Sequence, residues 1–173
     1  MFQIGEYVMY GGTGVCQITG VTERPVRGGV RRYYAIRPLY QSCMIYAPVD
    51  SDKVFMRPVI SREEAERLID GIPSVRAEAV QGCALRELTD SYEASLRTHD
   101  CGDLVELTMS IYAKKRAAQA GGRKIGTVDA AFMKRAEDLL FGELAVALDM
   151  PRDEVPEYIA SRVARAKKDG TPS

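Results

Sequence analysis

The chain has 173 residues and a mass of 19.1 kDa, with 46% hydrophobic and 28% charged residues, enough for one medium domain or two small ones. Lys plus Arg number 24, as do Asp plus Glu; zero formal charge excludes a protein that coats nucleic acid by bulk charge, so any polyanion site has to be a local patch. No apolar run approaches the roughly 18 residues that span a bilayer, and MFQIGEYVMY lacks the basic and apolar regions of a signal peptide; the expectation is a cytoplasmic protein with no membrane partner.

Residues 1–58 carry short β-type runs punctuated by glycine. Tyr7-Val8-Met9-Tyr10 reads as a strand stopped by Gly11-Gly12-Thr13-Gly14. A second strand runs from Val15 to Arg24, with Val15, Ile18 and Val21 as apolar markers and a bulge expected at Gly20. Arg27-Gly28-Gly29 signals a hairpin, because glycine takes the positive φ that tight turns need. Val30 to Leu39, Cys43 to Pro48 and Val54-Phe55-Met56 complete five short strands, which point to a small, strongly bent sheet or an SH3- or Tudor-like β-barrel.

The periodicity changes at Pro58. Ser61-Arg62-Glu63-Glu64 reads as a capping box, in which Ser61 caps the first turn and Glu64 reaches back to the Ser61 amide. Ala65, Leu68 and Ile69 form its apolar stripe, and Gly71 with Pro73 ends it. A second helix spans Leu85 to Arg97, with Leu85, Leu88, Tyr92 and Leu96 inward; a third begins near Asp103 and carries Leu104, Leu107, Ile111 and Tyr112. After Gly121-Gly122 a fourth runs from a Thr127 cap to about Leu148, with Phe132, Met133, Leu139, Leu140, Leu144 and Leu148 inward. Pro151 suits the first turn of a last helix holding Val155, Tyr158, Ile159 and Val163. The fold class expected is therefore α+β, a barrel over 1–58 followed by a bundle of about five α-helices over 59–173.

Zero net charge conceals local imbalance. Residues 1–58 are net +3 and residues 59–111 net −6, whereas residues 112–135 are net +6: Lys114, Lys115, Arg116, Arg123, Lys124, Lys134 and Arg135 against Asp129 alone. Such a block is able to grip phosphates with release of counterions. Equally, Lys114, Lys115 and Arg116 suit the last turns of a helix, where cations meet the macrodipole.

Catalytic constellations are thin. Cys16, Cys43, Cys83 and Cys101 include no Cys-x-x-Cys pair, so they read as small, partly buried apolar residues rather than metal ligands or redox pairs. The lone histidine, His99, lies two residues from Cys101, yet a nucleophile pair needs convergence with an orienting third group. Gly11-Gly12-Thr13-Gly14 has no Lys-Ser/Thr after it and precedes no helix, which leaves a tight turn rather than a phosphate loop. No enzyme, cofactor or metal site is expected.

Ile4-Gly5-Glu6-Tyr7-Val8-Met9-Tyr10 followed by Gly14-Val15, then Tyr33-Tyr34-Ala35-Ile36, Met44-Ile45-Tyr46-Ala47-Pro48-Val49, Arg57-Pro58-Val59-Ile60-Ser61 and Ala136 to Ala145 together resemble the CarD/CdnL family of bacterial transcription regulators that bind RNA polymerase. The resemblance implies a Tudor-like N-terminal module, similar to that of transcription-repair coupling factor, that docks on the polymerase β subunit by adding to a strand edge. By the same resemblance Arg24, Met44 and Tyr46 are the polymerase-binding residues, with Ile45 turned to the core. It further implies a helical module that contacts promoter DNA and modulates open-complex stability. Family members use a tryptophan wedge there; this chain has no tryptophan, and Leu85 and Leu88 are the candidate substitutes. Thr89, Asp90 and Ser91 stand where a basic pair follows the wedge, and Ala130 and Ala131 replace basic residues of the fourth helix. DNA contact then rests on Lys114, Lys115, Arg116, Arg123 and Lys124. The alternative is a polymerase-docking adaptor whose helical module, net −3 from residue 59 on, binds another protein. Oligomeric state is open.

Overall fold

The computed structural model describes residues 2–51, 53–74 and 84–169. Two compact units divide the chain, Met1–Val59 and Ile60–Ser173.

The first unit is an all-antiparallel sheet of β1 (Tyr7–Tyr10), β2 (Gly14–Val26), β3 (Gly29–Pro38), β4 (Ile45–Pro48) and β5 (Met56–Pro58), in the order β4-β3-β2-β1-β5. The sheet stays open, with β4 and β5 as its two edges, so it is barrel-like only approximately. Between β2 and β3 the turn is two residues long: Val26 pairs with Gly29, and Gly28 has φ +95°. The register slips between Ile18 and Gly20, which explains why the apolar markers Ile18 and Val21 are spaced by three rather than two. Cys16 and Ile18 face the core before the bulge, and Val21 rejoins it afterwards, because one extra residue reverses the facing of the strand. Val8, Cys16, Ile18, Tyr34, Ile36 and Ala47 make that core. β5 starts two residues later than Val54-Phe55-Met56 implies. Pairing with β1 decides this, through Met56 to Tyr10, Arg57 to Met9 and Pro58 to Val8, and leaves Val54 and Phe55 exposed.

The second unit contains α1 (Arg62–Asp70), α2 (Leu85–Arg97), α3 (Cys101–Ala120), α4 (Thr127–Leu148) and α5 (Val155–Asp169), with single 3-10 turns at Ile72–Ser74 and Arg152–Glu154. Ser61 Oγ accepts the Glu64 amide at 3.1 Å, but the Glu64 carboxylate binds Arg67 at 2.8 Å instead of closing the box. Thr127 is the first residue of α4 and not its cap; Gly126 holds the cap position without a side-chain bond. Pro151 precedes the 3-10 turn, and the proline in the first turn of α5 is Pro156. On α4, Phe132, Met133, Ala136, Leu140, Leu144, Ala145 and Leu148 are buried against Leu104, Val105, Leu107 and Ile111 of α3, Leu88, Tyr92 and Leu96 of α2, and Val155. Leu85 departs from the expected stripe and stands 68% exposed. The fully buried Glu143 accepts the Ile60 amide at 3.1 Å, which anchors the lead-in to α1 on α4.

Candidate functional site

On the sheet unit, the side chains of β4 alternate about the strand. Ile45 and Ala47 pack on the core, whereas Tyr46 stands on the opposite, outer face. Tyr46 pairs across β3 with Ala35, which pairs in turn with Gly20 of β2. Arg24 lies four residues further along β2 on that same face, and its guanidinium sits 4.2 Å from the centroid of the Tyr46 ring. A cation over an exposed ring is worth roughly 0.5–1 kcal/mol, and the stack restrains both side chains. Met44 is exposed one residue before β4. Among the described residues β4 pairs with β3 alone, so its other edge is unpaired. Beside the stack, Arg31 bonds Asp50 at 3.2 Å. Stacking across three strands has no signature in local sequence, since Arg24 and Tyr46 meet only through the register.

On the helical unit, the basic block divides into groups with different roles. Lys114 Nζ lies 2.9 Å from the buried carboxylate of Asp129, which also accepts the Tyr92 hydroxyl at 2.6 Å. This triad ties α2, α3 and α4 together. Lys115, Arg123 and Lys124 line a cleft of ≈ 680 Å³ between the end of α3 and the start of α4, joined there by Lys134. Lys134, which charge counting placed in the block, thus belongs to the cleft set although no motif marked it. Arg116 lines instead a separate apolar cavity of ≈ 250 Å³, with Met109, Phe141 and Ile159. Tyr112 donates to Glu137 at 2.9 Å; burial, with the added effect of the Glu137 carboxylate, pushes the Tyr112 hydroxyl up to about 12. Of the two candidate wedges, Leu88 is buried in the helical core and Leu85 is exposed at the first position of α2.

His99 takes a left-handed conformation (φ 55°) at the corner between α2 and α3, and Cys101 is buried at the first position of α3. Cys16 is fully buried, and desolvation, with Cys43 as a smaller influence, pushes its thiol up to about 11. A thiol so disposed is a poor nucleophile. Cys83 lies outside the described residues. Among the described residues no cluster of three or more His, Cys, Asp or Glu is arranged to hold a metal, and no helix is long and apolar enough to cross a membrane.

The family model of the CarD-like/TRCF RID domain matches residues 2–60. The sheet unit is similar to this domain family. The match ends where the helical unit begins, at Ile60. No curated protein matches the chain. The RID domain is an RNA polymerase-interacting domain, and the match suggests a transcription-related role for this chain.

Proposed function

We propose that the chain docks through its RID domain on the β subunit of RNA polymerase and that its helical unit then contacts promoter DNA and shifts the stability of the open complex. The observation that carries this reading is the Arg24–Tyr46 stack beside the unpaired edge of β4. An added strand from the partner takes its affinity from backbone hydrogen bonds, while the flanking side chains choose the partner. Arg24 offers five donors in a fixed fork, and stacking on Tyr46 orients them before contact. Met44 supplies adaptable apolar surface next to them.

Docking makes DNA contact effectively intramolecular, so weak intrinsic affinity suffices. Lys115, Arg116, Arg123 and Lys124 are the phosphate-contacting cations in this reading, and Lys114 positions α3 through Asp129. Leu85, exposed at the start of α2, is the remaining wedge candidate because Leu88 lies in the core. The protein acts, in this reading, in the bacterial cytoplasm at the nucleoid, without catalysis and without a cofactor. A second reading, in which the helical unit binds a protein, draws on the apolar cavity around Phe141 and Ile159.

Binding to the isolated β-subunit lobe tests the docking. Wild type is expected to bind at micromolar concentration, and Arg24→Glu and Tyr46→Ala each to weaken binding about tenfold or more, within the range of interface anchor residues. Absence of binding by the wild type sinks the reading. Lifetimes of open complexes on promoter DNA then test the second half: Lys115→Glu with Lys124→Glu is expected to abolish the effect of the protein while leaving lobe binding intact. A salt-independent effect favours the protein-binding reading, because phosphate contacts carry a steep salt slope.

A further inference from the structure

We propose that the cleft between α3 and α4 is a binding site for a nucleoside polyphosphate. Four cations converge on it, Lys115 from α3, Arg123 and Lys124 from the connecting turn, and Lys134 from α4. Among the described residues none of the four has a carboxylate within ion-pair distance. That contrasts with Lys114, which is engaged by Asp129, and with Arg135, which lies over the Phe132 ring at 5.1 Å. The single acid in the lining, Glu137, accepts the Tyr112 hydroxyl, so the walls carry a net excess of three positive charges.

Shape and remaining lining choose the ligand. A cleft of ≈ 680 Å³ lies within the range of about 300–1,000 Å³ typical of small-molecule sites. Tyr112, Ile125 and Met133 add apolar surface to the cationic walls, and this combination accepts a flat base together with a chain of phosphates. The backbone of a stiff duplex presents single phosphates along a line, and it gains nothing from apolar lining. Three of the cations also serve the DNA-contact reading, so a bound nucleotide and promoter phosphates would compete for them. The nucleotide site itself rests on the cleft and stands if DNA contact fails.

Calorimetric titration of the full chain with ATP, inorganic tripolyphosphate and a short duplex DNA tests the proposal. ATP is expected to bind saturably at one site, with tripolyphosphate about tenfold weaker because it lacks the base. Lys134→Gln and Arg123→Gln are expected to weaken ATP roughly tenfold each, as loss of a charge-assisted phosphate contact implies. Ala130→Trp changes no charge but fills the cleft from the exposed face of α4; it is expected to abolish ATP binding and to leave duplex binding unchanged. Unaltered far-UV dichroism confirms that each variant folds. Absence of saturable ATP binding by the wild type, equal affinity for ATP and tripolyphosphate, or wild-type ATP affinity in the folded Ala130→Trp variant overturns the proposal. Duplex binding that fails while ATP binding persists removes the DNA reading alone.

Discussion

The sheet unit and the helical unit bury different chemistry. Among the described residues the sheet core, from Val8 and Cys16 to Ile36 and Ala47, buries no charged side chain; its polar group is the Tyr34 hydroxyl, which accepts the Phe2 amide at 3.0 Å. The helical unit buries Asp129, Glu143 and Thr108. The contrast follows from how each unit satisfies its backbone. An antiparallel ladder pairs N–H and C=O groups between strands, so a small sheet needs no buried carboxylate to satisfy its backbone. Helices leave unpaired groups at their ends and in the segments that lead into them. Glu143 supplies the acceptor for one such amide, Ile60, and Thr108 bonds back to the Leu104 carbonyl at 2.7 Å. Asp129 gathers groups from three helices at one point, which specifies their mutual register as well as their contact.

The comparison yields its largest expected effect on the apolar side. Ile36 is fully buried in the middle of β3, between β2 and β4. Truncation by Ile36→Ala is expected to cost about 4 kcal/mol, the transfer and cavity terms together, seen as lost hydrogen-exchange protection in β1, β2 and β3. A cost below about 1 kcal/mol would mean that the sheet core is not the cooperative centre of its unit. Asp129→Ala comes next, at about 3 kcal/mol, because it strands the Tyr92 hydroxyl and a half-buried Lys114 ammonium. Urea unfolding followed by helical dichroism measures it. Combining it with Lys114→Met is expected to recover part of the loss, since the unpaired charge is then gone; strict additivity of the two changes would show that the triad is not coupled.

The smallest effect is a surface ion pair in the helical unit. Arg162 grips both Asp70 oxygens, at 2.6 and 2.9 Å, and these hydrogen bonds hold the Asp70 carboxyl below its ordinary value. A depressed carboxylate stabilises the fold at pH above its unfolded value, near 4, and loses that contribution as pH falls through the lower folded value. Asp70 is largely exposed, so the expected contribution is below about 1 kcal/mol. Asp70→Asn should lower the melting temperature slightly at pH 7 and leave it unchanged at pH 2; equal effects at both pH values would assign the change to something other than charge.

Much of the scaffold is legible in one dimension because its signals are local. The bounds of β1 and α2, the Gly28 hairpin and the Ser61 cap each depend on residues a few positions apart. Where signals competed, neighbours in space decided. β5 moved from Val54 to Met56 because pairing with β1 set its register. Leu85 looked like the start of an apolar stripe, yet it lies at the first position of α2 and is left at the surface, while Leu88, Tyr92 and Leu96 fill the core. The candidate site divides in the same way. Arg24, Met44 and Tyr46 were recognisable only through family resemblance, and the basic block only as a count of charges.

The sequence by itself determined that a glycine-punctuated β unit precedes a helical one, and that positive charge concentrates around the Gly121-Gly122 turn. Periodicity and composition are properties of the chain, and they survive into any fold that satisfies them. Only the tertiary structure decided that Arg24 stacks on Tyr46, that Lys114 is consumed by a buried carboxylate, and that Lys115, Arg123, Lys124 and Lys134 face a common cleft. Each of these joins residues from different elements. Strand register and helix packing bring such residues together, and no local preference of the chain encodes either.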